Sequence, residues 1–199
     1  MGNWEDYVFS GTNTLKNKFG ITDGLELMKK EEEIVLYRLS ELIYNGLDGN
    51  FDSKHLCDIH RYLFSDLYDF AGSYRTVLMF KTTGFMHPDD ISSKLEELIE
   101  KANNTSVNED NQFEIARFIA NYYYELIHIH PFREGNGRTI REFIREFVSF
   151  RFPKYELDYN RVDKQNFLDG VIYRNQYPLL LAFEINNALI ESKVKKNIK

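Results

Sequence analysis

The chain has 199 residues, the upper end of the roughly 100–200 usual for one domain, so a single compact core is expected over residues 1–199. With 43% hydrophobic and 15% aromatic residues it holds ample material for a packed interior, which excludes global disorder. A net charge of −6 disfavours direct nucleic-acid binding, and no apolar run approaches the ~18 residues that cross a bilayer, which excludes a membrane-inserted helix.

In chain order, clusters of Gly, Asn and Asp at 20–24, 45–52, 82–90 and 103–111 separate segments of helix length. Nothing near Met1 has the form of a signal peptide. Apolar spacings of three and four predict helices over 23–44 and 53–64. The second carries Cys57, which as the only cysteine cannot form an internal disulfide, so the cytoplasm is the expected compartment. Residues 74–86 differ: Tyr74, Thr76, Val77, Phe80, Thr82 and Thr83 are β-branched or aromatic, and Thr82-Thr83-Gly84 suits a turn, so a small hairpin between helices is predicted. Pro88 follows, with Asp89, Asp90 and Ser92 as caps for a helix over 91–101.

The segment 112–129 carries Ala116, Ile119, Ala120, Tyr123 and Ile127 on one face and Ile115, Phe118, Tyr122 and Leu126 on an adjoining one, the pattern of a central buried helix. Further helices are predicted over 136–152, 163–173 and 179–193, followed by a solvated basic end containing Lys193, Lys195, Lys196 and Lys199. No internal repeat is present. The expected fold is all-α with one short β-hairpin and a core over about 53–190.

Between the fourth and fifth helices runs His130-Pro131-Phe132-Arg133-Glu134-Gly135-Asn136-Gly137-Arg138, where Pro131 stops one helix and residues 135–137 turn into the next. A glycine-containing loop before a helix N-terminus offers free N–H groups and the positive end of the helix dipole, so phosphate is the first ligand to expect. Arg138 and Arg141 oppose that dipole, at ~0.3 to 1 kcal/mol each at exposed positions, a penalty that a bound anion would reverse. The alternative, a solvated ladder of Arg138, Glu142 and Arg145 at helical spacing, stays open on spacing alone. His130 fits a helix C-cap as well as a catalytic base. Glu134 could hold Mg²⁺ together with phosphate oxygens. A zinc site from His128, His130 and Glu134 competes, without the H-E-x-x-H spacing and without a further ligand.

At these residues the chain resembles the Fic family, whose motif H-x-F-x-[D/E]-G-N-G-R-x-x-R is matched at every fixed position from His130 to Arg141. The segment Tyr68-Asp69-Phe70-Ala71-Gly72 is also Fic-like, and the resemblance implies a helical domain whose hairpin, residues 74–86, is a flap over the active site, with the motif loop at 130–141. It implies protein adenylyl transfer, in which AMP moves from ATP to a Tyr, Thr or Ser hydroxyl of a target protein and pyrophosphate leaves. In that scheme His130 is the general base and Glu134 the Mg²⁺ ligand. Gly135, Asn136 and Gly137 cradle the phosphates, Arg138 and Arg141 neutralise them, and Phe132 points into the core. Lys81 and Thr82 on the flap would sit nearest the nucleotide. Gly137 favours AMP transfer over the kinase branch, which carries lysine there.

Many Fic proteins carry an inhibitory [S/T]-x-x-x-E-[G/N] helix. Thr22 with Glu26, Ser92 with Glu96, Ser93 with Glu97 and Thr105 with Glu109 have the spacing but no following Gly or Asn, and Glu184 lacks both flanking residues and is expected on a helix surface. The resemblance then implies the toxin branch, inhibited by a small antitoxin that supplies the Glu in trans. The target protein would dock on the flap by β-augmentation. Type II topoisomerase subunits are one target class that it allows, and homo-oligomers are another family habit. Removal of AMP, or ATP sensing without turnover, are the alternative functions.

Overall fold

The computed structural model describes residues 2–80 and 84–192. Among the described residues seven α-helices form: α1 Gly24–Asn45, α2 Ser53–Phe64, α3 Ile91–Asn104, α4 Gln112–Ile129, α5 Asn136–Arg151, α6 Lys164–Ile172 and α7 Leu180–Ala188. Their starts are written locally. Asp23 Oδ1 accepts from the N–H groups of Leu25 and Glu26 at 3.0 and 2.8 Å, Asp52 caps α2 through the His55 N–H, and Asp163 caps α6 through the Asn166 N–H.

Three local expectations are corrected. His87, not Asp89, Asp90 or Ser92, makes the cap before α3: its Nδ1 accepts from the Asp89 N–H, because Pro88 starts a 3₁₀ turn one residue earlier and Ser92 falls inside the helix. The helix predicted over 179–193 stops at Ala188. Leu189–Glu191 then becomes strand β2, antiparallel to β1, Tyr155–Leu157, with Leu157 opposite Leu189. Pairing with a strand some 30 residues upstream satisfies its backbone and buries both leucines, a preference that local spacing does not encode. Glu184 is 5% exposed instead of lying on a surface; its Oε2 accepts from the Asp163 N–H at 2.8 Å and so supports the start of α6.

The hairpin at 74–86 forms in outline: Phe80 and Gly84 make an antiparallel bridge and the Phe85 N–H donates to Met79 O at 3.1 Å. Of its expected turn, Thr82 and Thr83 lie outside the described residues, as do Lys81 and the basic end from Lys193.

The chain groups into two compact units, residues 2–99 with 127–143 and residues 100–126 with 144–192. In the first, one face of α2 buries His55, Leu56, Ile59, His60, Leu63 and Phe64, with Phe51 edge-on to Phe143 and His60 stacked on Phe132. The whole motif loop and the flap belong to this unit. In the second, α4 is as apolar as expected. Its Phe118 and Tyr122 pack on Phe147, and Tyr123 meets Phe167 of α6. Among the described residues no helix is long and apolar enough to cross a membrane.

Candidate active site

Helix α4 ends at Ile129, and Pro131, which has no N–H, cannot extend it. His130 between them adopts φ 49°, a left-handed backbone that is uncommon for a residue with a side chain. Its imidazole turns back so that Nδ1 lies 3.2 Å from the carbonyl oxygen of Ile127. A carbonyl only accepts, so Nδ1 carries the hydrogen and in the neutral ring the lone pair belongs to Nε2. The two expectations for His130, helix cap and base, therefore fall on different nitrogens of one ring. Phe85 of the flap stacks over that ring at 3.7 Å and 10°.

The loop is closed from within. Asn136 accepts from the Phe132 N–H at 2.8 Å and donates to the Phe132 carbonyl at 2.7 Å, so its side chain braces the turn and is not free for a ligand. Phe132 is fully buried, as expected of a core residue. Gly135 holds φ 78°, and a Cβ there would lie 2.3 Å from Cζ of Phe64, so position 135 requires glycine twice over. The turn predicted over 135–137 is shorter than expected: α5 starts at Asn136, which puts Gly137 in the first helical turn. A Cβ at Gly137 would meet only the Arg141 guanidinium at 3.4 Å, so glycine there is a chemical choice and not a steric demand.

Glu134, Arg138 and Arg141 flank the first turn of α5, which starts at Asn136. Arg138 does not join a ladder with Glu142; it donates to Glu31 of α1 at 2.5 Å and reaches Glu134 at 3.4 Å. Tyr68 also donates to Glu31, and burial followed by that carboxylate raises the Tyr68 hydroxyl well above its ordinary pKa. Arg141, half-buried, has no ion-pair partner among the described residues. An arginine without a carboxylate at the positive end of a helix is the arrangement that a phosphate would stabilise. Glu134 accepts from the Gly135 N–H at 2.8 Å and its side chain stays 42% exposed. Among the described residues no three of His, Cys, Asp and Glu converge as metal ligands, and the zinc alternative finds no third ligand. One exposed carboxylate beside an anion site fits Mg²⁺, which takes one or two carboxylates and completes its shell with phosphate and water.

Four residues that sequence reasoning did not single out support this loop. His60 accepts the Gly72 N–H at Nδ1, 2.7 Å, so its Nε2–H donates to the Glu134 carbonyl at 3.0 Å, and burial pushes its pKa down to about 4, keeping it neutral. Its position in the apolar stripe of α2 was the one available signal. Glu31 sits 107 residues from the arginine it pairs with. Trp4, upstream of the expected core, lies 3.8 Å over the guanidinium of Arg133, which is 5% exposed. Arg75 donates only to backbone carbonyls, which leaves no side-chain pattern to read. The flap candidates Lys81 and Thr82 lie outside the described residues.

The model of the Fic/DOC family matches residues 50–148, which contain the Fic-like segment, the flap and the motif loop. The protein adenylyltransferase VbhT of Bartonella schoenbuchensis is 34% identical over 166 residues, 82% of this chain and 34% of its own length. The probable protein adenylyltransferase y4lH of Sinorhizobium fredii is 31% identical over 167 residues, 82% of this chain and 84% of its own. The chain thus spans about a third of VbhT and most of y4lH. Among solved structures, the BepC effector of Bartonella tribocorum with bound AMPPNP superposes with a TM-score of 0.81 at 25% identity, over 95% of this chain and 98% of that one.

Proposed function

The chain belongs to the Fic/DOC family, and we propose that it transfers AMP from ATP to a hydroxyl side chain of a target protein, releasing pyrophosphate. The observation that carries this is His130, whose Nδ1 is anchored on Ile127 O while Nε2 bears the basic lone pair, one short loop before a helix N-terminus flanked by Arg141, which no carboxylate neutralises among the described residues. The names of VbhT and y4lH and the AMPPNP bound to BepC support the same chemistry.

In this mechanism the target hydroxyl oxygen attacks the α-phosphorus, Nε2 of His130 takes its proton, and the bond to the β-phosphate oxygen breaks as pyrophosphate leaves. General-base action of this kind contributes typically ~10²- to 10⁴-fold. The first N–H groups of α5, with Arg138 and Arg141, would hold the β- and γ-phosphate oxygens, so that most of the rate comes from positioning and electrostatics. Glu134 would hold Mg²⁺, which when bound draws charge from the phosphate oxygens. Gly137 adds no side chain to this turn, in keeping with adenylyl transfer and not phosphoryl transfer.

The flap would present its edge to an extended segment of the target, whose acceptor is Tyr, Thr or Ser; type II topoisomerase subunits are one class of target. Control in trans by a small antitoxin is part of the same proposal. Ser92 bonds to Glu96 of its own helix and Glu184 supports the start of α6, local roles that support this reading. The lone thiol Cys57 suits action in the cytoplasm.

The test is label transfer from α-labelled ATP with Mg²⁺ onto a target or onto the chain itself. Transfer is expected with wild-type protein and not with His130→Ala. Full labelling by that variant would remove His130 as base, and transfer of γ-label alone would replace adenylyl with phosphoryl transfer. A melting temperature raised by ATP without any transfer would make the chain a nucleotide sensor.

A further inference from the structure

Arg75 is 1% exposed, yet no carboxylate pairs with it among the described residues. Its guanidinium bonds instead to four backbone carbonyls: Nε to His130 at 2.7 Å, Nη1 to Val77 at 2.7 Å, and Nη2 to Met86 at 2.5 Å and to Ile129 at 3.2 Å. Two of these carbonyls end α4, where helical partners are lacking and the dipole is negative. The other two lie on the entering and leaving arms of the flap. Two backbone bonds run alongside, from the Arg75 N–H to Pro131 O at 2.8 Å and from the Met86 N–H to His128 O at 3.2 Å.

Resting on the role of His130 as base, we infer that Arg75 is a positioning residue for the transfer step, which holds His130 in its left-handed backbone and locks both arms of the flap to it. A left-handed non-glycine residue costs energy and persists only where its surroundings impose it. The Arg75 bond to the His130 carbonyl is such a constraint, and it acts on the peptide that sets the direction of the imidazole. The same guanidinium holds Met86, the neighbour of Phe85, and Phe85 is the ring stacked on the imidazole. Arg75 therefore positions His130 twice, through its backbone and through the ring above it. Lysine cannot replace it, because a single ammonium cannot span carbonyls spread over the width of a guanidinium fork.

Among the described residues no hydrogen bond or ion pair joins Arg75 to residues 134–141, the groups proposed to hold the phosphates, so Arg75 is expected to act on kcat and not on KM. Arg75→Lys is expected to lower kcat by about 10²-fold, the cost of a misplacement near 1 Å, with the KM for ATP within about twofold of wild type. A second readout needs no turnover. In the proton spectrum of the histidine rings, the His130 signals, assigned by their loss in His130→Gln, should lie upfield under the Phe85 ring. They should move downfield in Phe85→Leu, an apolar replacement at a half-buried site, and also in Arg75→Lys. Unchanged kcat and unchanged His130 signals in Arg75→Lys would overturn the inference. So would a rise in KM alone, or loss of the cooperative melt, which would make Arg75 a folding residue only. If wild-type protein transfers no label, the adenylyl-transfer reading fails, whereas the ring signals still decide whether Arg75 places His130.

Discussion

The motif loop and the flap face each other across His130 and are built in opposite ways. In the loop, Phe132 and Gly135 are buried, Asn136 bonds both backbone groups of Phe132, and His60 holds the Glu134 carbonyl. In the flap, the described residues between Met79 and Phe85 make a single bridge, and Phe80 is 71% exposed. The difference teaches where precision is needed. Groups that hold a polyphosphate must be fixed before it arrives, because reorganising them during the reaction would cost what their electrostatics contribute. An edge that pairs with another chain must keep its surface uncovered.

The largest expected effect tests the fixed half. Gly135→Ala forces a side chain into a left-handed position and against the Phe64 ring, and should cost about 2 to 4 kcal/mol in chemical denaturation. A loss below about 1 kcal/mol would show that the loop yields, and the contrast with the flap would break.

Next comes His60. Burial lowers its folded pKa from 6.5 to about 4, so between those values the unfolded chain takes up a proton that the folded chain refuses. Stability is thus fully present above pH 6.5 and falls as the pH drops through the window, by on the order of 3 kcal/mol in all. The difference between wild type and His60→Gln, measured by denaturation from pH 7 to pH 4, should carry that slope. Parallel curves would mean that His60 does not stay neutral under the loop.

The smallest effect belongs to the flap. Phe80→Ser should change stability by no more than about 0.5 kcal/mol and leave the ATP-induced rise in melting temperature as it is, while lowering label transfer to a target. A destabilisation near that of Gly135→Ala would erase the distinction between a fixed loop and an open edge.

Much of this was legible in the chain itself. Helices α1 to α6 follow their apolar spacing to within a few residues, and the Asp23, Asp52 and Asp163 caps lie next to the helices they start. The loop before α5 was legible too, because a glycine turn before a helix is a local object. The cap before α3 was misplaced by a residue or two, since Pro88 opened a 3₁₀ turn. The end of α7 was misread because strand β2 exists only through its distant partner, Tyr155–Leu157.

What the sequence by itself determined is therefore what neighbours along the chain decide: where helices start, which faces are apolar, and that a glycine-containing loop joins α4 to α5. Only the tertiary structure decided that Arg138 meets Glu31, that His60 joins Gly72 to Glu134, and that Arg75 ties the flap to His130. The reason is physical. Periodicity records which side of an element avoids water, but a buried arginine or histidine bonded to backbone carbonyls uses groups that every residue has, so its partner leaves no mark in the residue types.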